Sequence, residues 1–151
     1  MDRRTVVEIG GAAADAAAAN APEAAATTAE NGPICIVDDD EAVCDSLGVL
    51  LQTYGFTVVA HGSAAEFLND ERRRTAKCLV VDHHMPGMAG LDLIAELRRN
   101  GDSLPAILIT GRLDAGIAER VADLGVTTVL EKPFAVKSLV ALIRGALGTP
   151  E

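Results

Sequence analysis

A chain of 151 residues is one domain's length with residues to spare, and an apolar fraction of 49% is enough for a core. With no Trp, one Tyr and three Phe, that core must be aliphatic. Twenty-two acidic against thirteen basic residues, a net charge of −9, argue against a sequence-independent nucleic-acid binder and against docking on an anionic membrane, since both need clustered positive charge.

Residues 1–32 differ in kind from the rest of the chain. Positions 12–14 and 16–19 are all Ala, broken by Gly10, Gly11, Asn20, Pro22 and Gly32, and no helical or strand period survives. Ala buries too little area to offset chain entropy, so a disordered, low-complexity tail is expected, with transient helix at most. The tail holds two basic and five acidic residues, leaving eleven and seventeen for the rest. Its start is weakly charged like a signal peptide, but Glu8 and Asp15 interrupt the apolar stretch that one would need. No apolar run reaches the ~18 residues of a membrane span.

From Pro33 the pattern alternates. Residues 34–37 are a short apolar run ending in acids, the signature of a buried strand. Residues 41–54 carry Val43, Leu47, Leu50 and Leu51 at helical spacing, with Asp40 as cap and Gly55 as stop. Residues 56–60 read as a second strand, and Ser63 caps a short helix through Leu68. Residues 79–81 are a third strand. Residues 90–100 are a helix with Leu91, Ile94, Ala95 and Leu97 inward, closed by Gly101. Residues 106–109 are a fourth strand, 114–124 a helix stopped at Gly125, 127–130 a fifth strand and 135–147 a last helix; 149–151 are a stub.

Five strands alternate with five helices. Strands that read as unbroken apolar runs are buried on both faces, which implies a parallel sheet, and right-handed crossovers make it one open, doubly wound α/β sheet. The ligand site of such a sheet lies outside the carboxyl ends of its strands. Cys35, Cys44 and Cys78, an odd count without C-x-x-C spacing, read as small buried hydrophobes in a reducing compartment, hence the cytoplasm.

The strand ends carry chemistry. Asp38, Asp39 and Asp40 follow the first strand, Asp82 the third; the fourth ends in Thr110, and the fifth runs into Lys132-Pro133. Carboxylates crowded within a few ångströms repel one another unless a hard cation neutralises them, and Mg²⁺ fits because it takes oxygen ligands. A cation, an ammonium and a hydroxyl around one further carboxylate suit phosphoryl transfer, drawing charge off the equatorial oxygens while the carboxylate attacks in line.

With its Asp-Asp-Asp run, Asp82-His-His-Met85-Pro86-Gly87, Thr110-Gly111 and Glu131-Lys132-Pro133-Phe134, residues 33–148 resemble the receiver domain of two-component response regulators, of flavodoxin-like (βα)5 architecture. Thr110 and Lys132 lie 22 residues apart, as in that family. The resemblance implies that Asp82 accepts a phosphoryl group from a sensor histidine kinase or a histidine phosphotransfer protein. It implies that Asp38, Asp39 and Asp82, with the backbone carbonyl of His84, hold Mg²⁺, and that Thr110 and Lys132 each hold a phosphoryl oxygen. It also implies a phospho-acceptor that is no turnover enzyme, and a cis bond before Pro133. A second copy, across the face from the fourth to the fifth helix, is a further partner the resemblance allows.

Two features depart from the pattern. Many receivers carry an aromatic residue three positions before the Lys, which swings inward as the Thr moves; here that position is Val129, a β-branched side chain with little reach. A smaller rearrangement on phosphorylation is therefore expected. After Leu147 only four residues remain. If the chain is complete it is a stand-alone receiver with no direct nucleic-acid contact, and its output is contact with an unknown downstream protein, or phosphate transfer as a relay intermediate or sink. A binding-only pseudo-receiver is disfavoured by the full set of site residues. A dehalogenase-type hydrolase, which would need its nucleophile after the first strand and an extra cap domain, does not fit 151 residues arranged this way. His84 is read as shaping access to the phosphoryl group rather than pairing with His83 on a metal. Residues 72–74, all Arg, are read as a solvated loop.

Overall fold

A computed structural model describes residues 32–125 and 127–148. Apart from Gly32, the expected tail and stub lie outside the described residues, as does the region compared with a signal peptide.

Five parallel strands, β1 (Ile34–Val37), β2 (Val58–His61), β3 (Cys78–Asp82), β4 (Ala106–Thr110) and β5 (Thr127–Glu131), form one sheet in the order β2-β1-β3-β4-β5. Helices α1 (Glu41–Thr53), α2 (Ala64–Leu68), α3 (Gly90–Arg99), α4 (Ala115–Ala122) and α5 (Val136–Leu147) alternate with them. Local chemistry sets the helix starts. The Asp40 carboxylate accepts the amides of Ala42 and Val43, Ser63 Oγ that of Glu66, and Asp114 Oδ1 that of Ile117. Glu66 reaches back to the Gly62 amide at 2.9 Å, a second amide satisfied at the same helix start.

The period of two along each strand divides the core. Ile34, Ile36, Cys78, Val80, Ile107 and Ile109 pack against α1 and α5. Cys35, Val37, Leu79, Val81, Ala106 and Leu108 pack on the other face, against Phe67 of α2 and Leu91, Leu93, Ile94 and Leu97 of α3. All three cysteines are buried, as expected.

Four expectations change. β2 starts at Val58, because the Phe56 amide bonds back to Leu51 O and closes α1 instead. In α1, Cys44 is buried and Leu50 exposed; in α3, Leu93 is buried and Ala95 only half-buried. β5 is not buried on both faces: it is an edge strand with Thr128 and Glu131 exposed. Arg72, Arg73 and Arg74 belong to a 3-10 helix, Glu71–Thr75, rather than a loop. Among the described residues no helix is long and apolar enough to cross a membrane.

Candidate functional site

The strand order reverses between β1 and β3, and at the carboxyl ends of those two strands the fold opens its crevice. Pairing of Val37 with Val81 sets Asp38 and Asp82 side by side, each one residue further along its chain. Carboxylate oxygens of Asp38, Asp39 and Asp82 all lie within 4.8 Å of one another. Asp38 and Asp82 are buried and Asp39 is exposed.

Asp82 Oδ2 accepts the His84 amide at 3.1 Å. Oδ1 pairs with Lys132 Nζ at 2.9 Å and, having two lone pairs and no further partner, keeps an unfilled acceptor position. Burial raises the pKa of Asp38, and the charges of Asp82 and Asp39 raise it further, against the opposing Asp40 amide and Lys132. Contact with Asp82 raises that of Lys132, although partial burial opposes it. Three clustered carboxylates, a buried oxygen with a spare acceptor position and mutual repulsion fit a hard divalent cation such as Mg²⁺.

Gly90 brings α3 against the site. A Cβ there would stand 2.6 Å from the Asp82 carbonyl oxygen and 2.8 Å from Leu108 Cδ1, so only glycine fits, and its amide bonds His83 O at 3.1 Å. The Lys132–Pro133 bond is cis. The Lys132 amide donates to Thr110 O at 2.8 Å, extending the β4–β5 pairing to the rim.

Thr110 is buried, but its hydroxyl is engaged in a turn: it accepts the Arg112 amide at 3.2 Å and donates to Arg112 O at 3.1 Å. Glu131, to which the motif assigns no role, accepts the Leu113 amide at 3.1 Å and so holds the β4–α4 loop to the end of β5. Its position beside Lys132 was the only signal for it. The His83 and His84 rings stand edge to face at 5.0 Å, and His83 Nδ1 is buried without a partner. Burial lowers the pKa of His83, with His84 and Arg120 adding to it. His84 is exposed, and its amide is the part that meets Asp82. Val129 is half-buried and packs with Ile117 and Val121 on the α3 side of the sheet.

Comparison with known proteins places these features in a family. Residues 34–144 match the family model for the response regulator receiver domain. The chain is 40% identical over 119 residues to the transcriptional regulatory protein FixJ of Azorhizobium caulinodans, covering 79% of this chain and 56% of that protein. It is 39% identical over 114 residues to the response regulator protein TodT of Pseudomonas putida, covering 76% and 50%. The chain thus spans about half the length of these curated relatives. The crystal structure of FixJ-N superposes with a TM-score of 0.69 at 34% identity, over 80% of this chain and 96% of that one. The structure of the response regulator StyR gives 0.72 at 34%, over 78% and 60%.

Proposed function

The chain belongs to the response regulator receiver domain family, and from that premise we propose that it accepts a phosphoryl group on Asp82 from a phosphohistidine, in a Mg²⁺-dependent reaction, and signals through protein contacts. The observation that carries this is the state of Asp82. It is a buried carboxylate with an unfilled acceptor position on Oδ1, beside Lys132 and clustered with Asp38 and Asp39.

An Asp82 carboxylate oxygen attacks the phosphorus. As the new O–P bond forms, the P–N bond to the donor imidazole breaks, and its electron pair stays on that nitrogen, which takes up a proton. Asp38, Asp39, Asp82 and the His84 carbonyl would hold Mg²⁺, which when bound supplies charge neutralisation for the phosphoryl oxygens. The Lys132 ammonium offers a fixed positive charge to one phosphoryl oxygen. The Thr110 hydroxyl serves another once it leaves Arg112. The His84 side chain, exposed beside the acceptor, controls the approach of water to the acyl phosphate.

In this reading the chain is a phospho-acceptor in the cytoplasm and not a turnover enzyme. Its phosphoryl donors are a sensor histidine kinase or a histidine phosphotransfer protein, and its target is a further protein. One observation favours a second use, as a relay intermediate or sink: the Thr110 hydroxyl is held in a turn and Val129 gives it no aromatic partner to move with.

Incubation with a kinase or small phosphodonor and Mg²⁺ should label the chain with acid-stable, hydroxylamine-sensitive phosphate. Asp82→Ala should abolish the label, and its persistence in that variant would overturn the assignment. Rapid return of the label to a histidine, with no change in affinity for any partner, is the mark of the relay.

A further inference from the structure

The end of the sheet opposite Asp82 carries a second polar feature. The segments leading into β3 and β4 and the end of α5 enclose a cleft of about 450 Å³, whose charged lining is Arg73, Arg74, Lys77 and Asp102. Leu104 and Leu147 are among its apolar lining. Arg73 is already committed: its Nε donates to Leu68 O at 3.0 Å, its guanidinium lies 5.9 Å over the Phe67 ring, and Nη1 is 3.8 Å from Asp102 Oδ2. Arg74 and Lys77 are exposed, and among the described residues neither has a carboxylate at ion-pair distance.

The chain enters the domain at this same rim. Gly32 has φ 86°, and a Cβ there would lie 1.9 Å from the Thr75 carbonyl oxygen and 3.1 Å from the Lys77 side chain. The Lys77 amide donates to Pro33 O at 3.0 Å. Whatever precedes Gly32 therefore emerges beside Lys77. After Arg4 that stretch carries Glu8, Asp15, Glu23 and Glu30 and no basic residue. From position 15 to 31 its side chains are no larger than Glu, and its apolar ones are only Ala and Pro, so it can lie flat in a shallow cleft. Glu30, two residues from Gly32, has a reach of at most ~7 Å from it, enough for Lys77, and Glu23 can span the whole cleft.

We propose that the acidic segment of residues 15–30 docks within its own chain on this cleft, Glu30 and Glu23 facing Lys77 and Arg74. Each exposed ion pair is weak, but the tether holds the segment at a local concentration on the order of millimolar whatever the concentration of the chain. Docking at this end leaves the Asp82 rim open, so it is independent of the state of Asp82. Salt weakens it, because the screening length falls to about 3 Å at 1 M ionic strength.

The test uses the full chain with Ala26→Cys carrying a nitroxide, which the three buried native cysteines leave as the selective labelling position. At low salt the amides of Arg74, Lys77, Ser103 and Leu104 should lose most of their intensity, while those around Asp82 keep theirs. The loss should disappear in 1 M salt and in Arg74→Glu with Lys77→Glu, and return when Glu23→Lys and Glu30→Lys are added. Should the reversed pair fail to fold, Arg74→Gln with Lys77→Gln should likewise abolish the loss. Broadening that is absent, spread over the whole surface or indifferent to these charges overturns the proposal. So does broadening of unlabelled ¹⁵N-protein by added spin-labelled ¹⁴N-protein, which would place the segment on a second copy.

Discussion

Lys132 Nζ lies 2.9 Å from Asp82 Oδ1, although Asp82 ends β3 and Lys132 follows β5, two strands away. The pair offsets only part of the Asp82 charge, and Asp38 faces both Asp82 and Asp39. Burial and the charges of Asp82 and Asp39 hold the Asp38 carboxyl above its ordinary value, so the cation-free protein carries unrelieved repulsion near neutral pH. A cation bound only by the folded state stabilises it by mass action. At ten times its Kd, Mg²⁺ should add about 1.4 kcal/mol, several degrees in Tm. Asp39→Asn removes a ligand from an exposed position, so it should leave the cation-free Tm unchanged or raised and erase most of the Mg²⁺ shift. Thermal melts with Mg²⁺ and with chelator measure both, and an undiminished shift in Asp39→Asn counts against that ligand.

Gly90 governs how closely α3 approaches the acceptor strand. A methyl group at position 90 meets the Asp82 backbone at 2.6 Å as well as Leu108 Cδ1 at 2.8 Å, and backbone cannot swing aside as a side chain can. Gly90→Ala should cost about 1–3 kcal/mol, the usual penalty of overpacking, and slow phosphorylation by shifting Asp82. Urea unfolding and initial labelling rates would show both; a variant with wild-type values in each would remove the close approach from the account.

Thr110, Glu131 and Val129 determine what the rim can transmit. For Thr110 to reach a phosphoryl oxygen, its turn with Arg112 must open, while Glu131 holds the neighbouring Leu113 amide. Val129 has few rotamers and no ring to swing into vacated space. Amide shifts on adding beryllofluoride and Mg²⁺ should therefore concentrate at Thr110 to Leu113 and at the Asp82 loop, with small changes along α4, β5 and α5. A large rearrangement across that face would show that an aliphatic residue suffices for the full switch. Glu131→Gln should enlarge the response of the loop, because a neutral acceptor holds the Leu113 amide less tightly.

The parts legible in the sequence are those fixed by short-range pattern. Apolar runs ending in Asp, Thr or Glu-Lys-Pro marked the strand ends, and parallel pairing then brought Asp38, Asp39, Asp82 and Lys132 together. Side chains whose role depends on distant segments left no such mark. Arg98 of α3 donates to Leu124 O at 2.5 Å, to Asp102 O at 2.9 Å and to Thr127 Oγ1 at 3.3 Å, tying three segments, yet in sequence it is one more charge at a helix end. Leu50 and Cys44 exchange places in the α1 pattern because the inward face is set by what the helix packs on, not by side-chain size. The exposure of β5 follows from its place at the sheet edge, which an apolar run cannot specify.

His61 and Asp70 form a second contact that only the fold reveals, and it makes stability depend on pH. His61, at the end of β2, is 4% exposed; its Nε2 lies 2.9 Å from Asp70 Oδ2 and its ring stands edge-on to Phe67 at 5.4 Å. Burial lowers the His61 pKa from 6.5, outweighing the hydrogen bond and charge of Asp70 and the nearby Ile36 backbone, which favour the protonated ring. Burial pushes Asp70 upward, but the Arg72 side chain and amide together with His61 outweigh it and hold the carboxyl well below 3.8. Both folded-state values lie below the unfolded ones, so the unfolded chain binds more protons and stability rises with pH. The His61 share is complete above about pH 6.5 and is lost as pH falls through its lowered value; the Asp70 share is complete above about pH 4 and is lost below that. His61→Gln should flatten the upper part of a Tm–pH curve and keep the lower one. Asp70→Asn should flatten the lower part, steepen the His61 part and lower stability at pH 7 by about 1–3 kcal/mol, since a hydrogen-bonded charged acceptor is lost. A wild-type Tm that stays level from pH 7 to pH 4 would mean that His61 is accommodated in its charged form, with Asp70 rather than burial setting its titration.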